Sequence, residues 1–350
     1  MSDVAVSLVV STYNRADQLP LALESLLSQT GGVPYEIIVV DNNSSDRTRA
    51  VVEDLAKRAG GLLRYGFEPR QGLSHGRNTG IALARAPIVA FTDDDVRAAP
   101  DWVSQIKRTF DEHPEVAYIG GRVLPNFLEP PPAWLKKAHW GPLALQDYGE
   151  APIRTGRERA MCLVGANMAF RREVFDRVGL FTPSLGRIKD DIGSTEDHDM
   201  QLRIWSAGLV GLYTPDPVVV ADVTPDRMIK EYHRRWHRGN GRHCALMRVR
   251  ELVPTDVGPM SEPDDIVKLF GAPAFVYADL IRYSHLWVRA ALSRDDHFFY
   301  ANQLRHVWHY VRQSYRTFAS SQSSSPLDEL RSFVRGYWKK RVRREPARGT

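Results

Sequence analysis

Only two cysteines occur in 350 residues, Cys162 and Cys244. They lie far apart, which excludes a disulfide framework and the paired spacing of a zinc site, and fits a reducing compartment. No apolar run approaches the roughly 18 residues that a bilayer span requires. The opening stretch, MSDVAVSLVVSTYNR, lacks a basic leader and a small-residue cleavage site, so it reads as a strand rather than a signal peptide. No Gly-x-Gly-x-x-Gly follows that strand, nor does a phosphate loop ending in Gly-Lys-Ser/Thr. There is no internal repeat, and low complexity is confined to SSQSSS at 320–325.

The two halves of the chain carry net charge of opposite sign. Residues 1–225 hold 24 Lys and Arg against 29 Asp and Glu, whereas residues 226–350 hold 23 against 13. The net charge of +5 hides this split. A basic rear half points to an anionic partner, membrane surface or nucleic acid. The second is the weaker reading, since no recognition motif accompanies the charge.

Apolar β-rich runs at 4–12, 36–42, 62–68 and 86–95 alternate with helical patterns at 17–30, 46–59 and 75–85. That order predicts βαβ units and a mostly parallel sheet. Each run ends in polar residues: Ser11-Thr12-Tyr13-Asn14, Asp41-Asn42-Asn43, Glu68, and Asp93-Asp94-Asp95. In open α/β sheets the ligand crevice lies outside the strands' carboxyl ends. Carboxylates cannot bind a diphosphate directly, but they can through a hard divalent cation, Mg2+ or Mn2+. Turn and helix-capping chemistry is the competing explanation of the triplet.

Later segments read as a helix at 101–112, the strand-like VAYIGGRVLPNFL, the proline-rich EPPPAWLKK, and an amphipathic helix at 198–207. Trp134 and Trp140 would stack on acceptor sugars or fill core. Beyond 226, helical periodicity dominates. Leu304, Trp308, Val311, Tyr315 and Phe318 form a seam beside a stripe of Arg305, His309, Arg312 and Arg316. Packing on the catalytic domain and attachment to anionic lipid both fit that seam. KKRVRR at 339–344 fits lipid contact or disorder.

VSTYNR, IIVVDNNSSDRT, GLSHGRNTGIALA, FTDDDV, GANMAFRR and STEDHDMQLRIWSAG, in this order, resemble the family 2 glycosyltransferases of GT-A fold over residues 4–245. The resemblance implies a Rossmann-type mixed α/β sheet flanked by helices, with a C-terminal helical extension. It divides the chain into a catalytic domain at 1–225, a helical extension at 226–330 and a basic tail at 331–350. Within the catalytic domain, 1–100 is the nucleotide half and 101–225 the acceptor half.

The resemblance also implies an inverting, metal-dependent enzyme using a nucleoside-diphosphate sugar and a glycan or lipid-linked acceptor in polysaccharide, glycolipid or cell-envelope glycan synthesis. Its place would be cytoplasmic, at the inner face of the membrane. Thr12, Tyr13, Asn14 and Arg15 match the nucleobase cradle, Asp41 the acid that bonds the base, and Arg77 and Asn78 the Arg-Asn pair near the nucleotide. Asn43 joins them as a nucleotide-sugar residue. Asp93 and Asp95 match the Asp-x-Asp motif for ribose and metal, with Asp94 between them. Asp197 matches the general base, although Ser194-x-x-Asp197 also resembles a capping box. Ala221 and Asp222 stand where many relatives carry a metal-contacting histidine, so either Asp222 would substitute as an oxygen ligand or the metal would lack this contact. A catalytically silent nucleotide-sugar binder is the alternative, and a nucleotidyltransferase the nearest enzyme rival.

Overall fold

The computed structural model describes residues 4–185, 195–254, 257–262, 266–293, 296–321, 328–331 and 333–335. The chain divides into two compact units, Met1–Tyr232 and His233–Thr350. KKRVRR and Ser194 lie outside the described residues.

The first unit opens with β1 (Val6–Thr12), α1 (Leu19–Leu27), β2 (Tyr35–Asp41), α2 (Thr48–Arg58), β3 (Leu63–Phe67), α3 (Leu73–Leu83) and β4 (Ile88–Thr92). It continues through β5 (Val96–Ala98), α4 (Trp102–Glu112), β6 (Tyr118–Phe127), β7 (Ile153–Thr155), β8 (Asn167–Arg171), α5 (Glu173–Val178), α6 (Glu196–Ser206) and β9 (Gly211–Val223). One mixed sheet results, in the order β3-β2-β1-β4-β8-β6-β9-β5, with β7 pairing β9. β1 pairs in parallel with β2 and with β4, and β8 then runs antiparallel to β4. Strand order therefore reverses between β1 and β4, where such sheets open their binding crevice.

The continuous apolar runs of the early strands are explained by helices on both faces. Val6, Leu8 and Val10 join Leu19, Leu23 and Leu26 of α1 in the core. On the opposite face α3 lies unusually close to β1, because Gly76 and Gly80 present no side chain. A Cβ at Gly80 would fall 2.2 Å from Val9 Cγ1, and one at Gly76 2.0 Å from Ser11 Oγ. This approach delivers Arg77 to the edge of the sheet. Trp134 and Trp140 are half-buried and pack against the core.

The second unit contains most of α7 (Lys230–Leu246), then α8 (Val249–Leu252), the short pair β10 (Lys268–Leu269) and β11 (Ala272–Pro273), α9 (Ala274–Ser293) and α10 (His297–Ser320). The seam expected to pack is not the buried face of α10. Phe298, Asn302, Val307, Tyr310 and Ser314 are buried, whereas Trp308 and Tyr315 are exposed. Periodicity alone could not say which of two adjacent stripes faces inward. Among the described residues no helix is long and apolar enough to cross a membrane.

Gly80→Ala tests the α3–β1 approach. Overpacking costs about 1–3 kcal/mol, more than the roughly 1 kcal/mol that alanine gains in helix propensity. The expected result is a lower urea midpoint with an unchanged denaturant slope.

Candidate functional site

The loops after β1 and β2 form one wall of the crevice by bonding to each other. Asn14 takes a left-handed conformation with φ 50°, tolerable for asparagine. Its backbone N–H donates to Ser44 Oγ at 2.9 Å, and its Oδ1 accepts from the Ser45 N–H at 2.8 Å. Asp46 accepts from the N–H of Ala16 at 3.1 Å and of Thr48 at 2.9 Å. DNNSSD is thus turn chemistry that stitches two loops together.

Behind this wall, Asn42 ties down a third loop. Its Nδ2 donates to the carbonyls of Glu68 at 3.2 Å and Arg70 at 2.7 Å, while Oδ1 accepts from the Gly72 N–H at 2.7 Å. Glu68 grips Arg70 in turn, and that pairing holds the Glu68 carboxyl down at about 2.

Ser11, Thr12, Tyr13, Asn14, Arg15, Gln18, Asn42, Gln71, Leu73 and all three aspartates line a crevice of about 490 Å3. Thr12 Oγ1 donates to Asp94 Oδ2 at 2.7 Å. Burial, then repulsion from Asp95 and Asp93, pushes the Asp94 carboxyl up to about 7, against the pull of Thr12 and Arg15. Asp95 lies 3.6 Å from Arg227, whose guanidinium also donates to the Leu143 carbonyl.

The other sequence-predicted residues lie off this wall. Asp41 is 2% exposed, its Oδ1 accepting from the Ser44 N–H at 2.8 Å and its Oδ2 from Tyr65 OH at 2.9 Å. Asn43 is exposed at φ 65° and turns the chain. Asn78 is spent on Phe181, donating to its carbonyl and accepting from its N–H, both at 2.9 Å. Asp222 Oδ1 accepts from Arg97 and, at 2.8 Å, from Asn126 Nδ2; an arginine partner stands where a metal ligand was expected.

Arg77 connects the aspartate edge to α6. It is buried, with Nη1 2.7 Å from Glu196 Oε1 and Nη2 3.7 Å from Asp93 Oδ1. The rings of Phe181 and Phe91 lie 5.4 and 6.0 Å from its guanidinium carbon. α6 begins at Glu196, two residues before the expected start, which puts Asp197 in the first turn.

The three acids of that turn are held differently. Glu196 faces Arg77, and Asp199 accepts from Thr182 at 2.8 Å and Arg203 at 3.0 Å. Asp197 is held by two backbone donors, Gly165 N–H to Oδ2 and His198 N–H to Oδ1, both at 2.9 Å. Burial raises the Asp197 carboxyl above its ordinary range, although the Arg77 charge and the two N–H groups pull the other way. A Cβ at Gly165 would lie 2.9 Å from Arg77 Nη2 and 3.0 Å from Asp197 Oδ2. Gln201 fixes this strand-entry loop, donating to Leu163 O and accepting from Leu163 N–H, each at 2.8 Å.

Sequence reading placed Asn42 in the polar cluster that closes the second strand without giving it a role, and missed Gly165 and Gln201. The signal for Gly165 was present in VGANMAF, a glycine directly before a buried strand, where close backbone approach is the usual reason.

The aspartates offer only oxygen donors, the chemistry of Mg2+ or Mn2+. Among the described residues no three His, Cys, Asp or Glu side chains form a ready-made cage. Two carboxylates without a cage suit a cation that arrives on phosphate oxygens and keeps waters. The repulsion already felt at Asp94 is the kind a cation relieves. The residues fit such an ion.

The family model described as Glycosyl transferase family 2 matches residues 7–179. A glucosyl-dolichyl phosphate glucuronosyltransferase of Haloferax volcanii is 29% identical over 202 residues, covering 57% of this chain and 63% of that protein. A validoxylamine A glucosyltransferase of Streptomyces hygroscopicus subsp. jinggangensis is 38% identical over 104 residues, 29% of this chain and 24% of its own. The chain thus spans less than two thirds of these relatives. Among solved structures, mannosyltransferase PcManGT from Pyrobaculum calidifontis, in complex with GDP-Man and Mn2+, aligns with TM-score 0.53 and 20% identity over 97% of this chain and 81% of that one. S. aureus TarS aligns with TM-score 0.51 and 17% identity over 82% and 44%. These structures share the fold.

Asn42→Ala leaves the Gly72 N–H and two carbonyls without their partner. A loss of about 1–3 kcal/mol is expected, read as a lower melting temperature, whereas Asn43→Gly, at a left-handed position glycine adopts freely, leaves it nearly unchanged.

Proposed function

The chain carries a glycosyl transferase family 2 domain over residues 7–179, and from that premise we propose that it moves a sugar from a nucleoside-diphosphate sugar to a hydroxyl acceptor with inversion. The observation that carries the reading is the line Asp93–Arg77–Glu196/Asp197. It joins a carboxylate on the crevice wall to a carboxylate held in a helix turn.

The nucleoside takes the crevice beside Tyr13, and its diphosphate lies toward the aspartates. Asp93 and Asp95 would hold a divalent cation, which when bound neutralises charge on the departing diphosphate. Asp197 takes the proton from the acceptor hydroxyl as the oxygen bonds to the anomeric carbon. The bond from that carbon to the phosphate oxygen breaks on the opposite face, and its electron pair leaves with the diphosphate. The two backbone N–H groups fix the carboxylate's direction while leaving lone pairs for the incoming proton. Glu196 and Asp199, committed to arginines, do not serve as the base.

A lipid-linked or cell-envelope glycan acceptor, and a place at the inner face of the membrane, complete the proposal. A relative named for a glucosyl-dolichyl phosphate substrate supports the acceptor class.

A panel of UDP-, GDP- and dTDP-sugars with Mn2+ tests the reading. Release of the nucleoside diphosphate from one donor is expected. Asp197→Asn keeps donor binding by thermal shift while turnover falls about 10²-fold or more, the range of a positioned base. Unchanged turnover removes Asp197 from that role.

The pH profile gives a second test. The base acts ionised, so kcat/KM falls as pH drops through its pKa, which burial places above the ordinary carboxylate range. The Arg77 charge favours ionised Asp197, so Arg77→Gln moves the acidic limb to higher pH and Arg77→Lys moves it less.

A further inference from the structure

The second unit carries a feature unrelated to the site above. Leu280, Ser284 and Trp287 of α9 and Leu304, Trp308 and His309 of α10 line an open, largely apolar groove of about 550 Å3. Its surroundings are apolar where water should be. Trp287 is 42% exposed and Trp308 54%, and the α9 stripe of Ile281, Val288 and Leu292 reaches 74%, 52% and 82%. A contiguous exposed patch of this kind marks an interaction surface.

The charge around it is mostly positive. α10 contains Arg305, Arg312 and Arg316 and no acidic residue, and α9 adds Arg282 and Arg289, its one acid, Asp279, being paired with Arg250 and Arg282. Arg312 and Arg316 are exposed on the same side as Trp308 and Tyr315. Burial and then four arginines, Arg238, Arg312, Arg305 and Arg316, hold the His309 imidazole below its usual range, a local sign of crowded positive charge.

These features select among occupants. A second copy docked through this face would set arginine against arginine around the groove. A membrane-spanning arrangement lacks a suitable helix among the described residues. Indole rings at the edge of an apolar face, flanked by arginines, match the boundary between headgroups and acyl chains.

We propose that the α9–α10 face docks on an anionic lipid surface, with Trp287, Trp308 and the Ile281–Leu292 stripe entering the acyl boundary and Arg289, Arg305, Arg312 and Arg316 facing the headgroups. This rests on the lipid-linked acceptor reading and specifies the face it uses. A soluble acceptor would need no such surface.

Flotation of the full chain tests it, with vesicles of phosphatidylcholine alone or mixed with phosphatidylglycerol in equal parts. The chain should float with the anionic vesicles and be released by added salt, because exposed charges are screened. Trp287→Ser with Trp308→Ser, and separately Arg312→Glu with Arg316→Glu, should each lower the bound fraction about tenfold or more. Circular dichroism and the nucleotide-induced thermal shift should stay as in the parent chain.

Flotation equal for parent and variants assigns membrane contact to the basic tail and overturns the proposal. So does absence of flotation, or a dimer that the tryptophan variant converts to monomer without any vesicle binding. Release of nucleoside diphosphate from the donor uses no lipid. Failure of the docking face and failure of the glycosyltransfer reading are therefore separately visible.

Discussion

One buried guanidinium organises the acidic edge of this sheet. Carboxylates from two chain segments, Asp93 on one and Glu196 and Asp197 on the other, gather around it, and like charges repel more strongly where burial thins the solvent. Arg77 is the cation among them, contacting Glu196 directly and Asp93 at longer range. Removing one partner of a buried charge pair leaves the other uncompensated, which costs far more than an exposed pair is worth. The position of Arg77 therefore constrains both ends of the proposed reaction path. It is fixed by α3, which lies close to β1 only because two of its residues have no side chain.

The sheet's nucleotide half was legible in the sequence because each β-run is apolar, short and closed by polar residues. Those runs at 4–12, 36–42, 62–68 and 86–95 correspond to β1 through β4 with ends trimmed by a few residues. The convergence of Thr12, Tyr13, Asn14 and Arg15 on Asp93, Asp94 and Asp95 was legible for the same reason. Parallel strands with right-handed crossovers place all their carboxyl ends on one edge.

What was not legible is the division of labour within motifs. Asp41 and Asn78 sit in motif positions yet bond to the chain itself, Asn43 is an exposed turn residue, and the neighbouring Asn42 lines the crevice. Adjacent positions in a turn point in different directions, and no periodicity distinguishes them. Asp222 illustrates the same limit, since its partners Arg97 and Asn126 are remote in sequence. The exposed side of α10 required the fold for a similar reason. Two stripes of one helix were apolar enough to be buried, and only tertiary packing selects one.

The fastening of α3 to its neighbours has a consequence for how such a scaffold can change. Ser74 donates to the Thr182 carbonyl, Asn78 bonds both backbone groups of Phe181, and the Phe181 ring lies 5.4 Å from the guanidinium carbon of Arg77 on the same helix. Helix, anchors and guanidinium therefore move as one unit. A substitution at either anchor displaces the charge that faces Glu196 and Asp93, so Ser74, Asn78 and Arg77 are constrained to change together rather than singly.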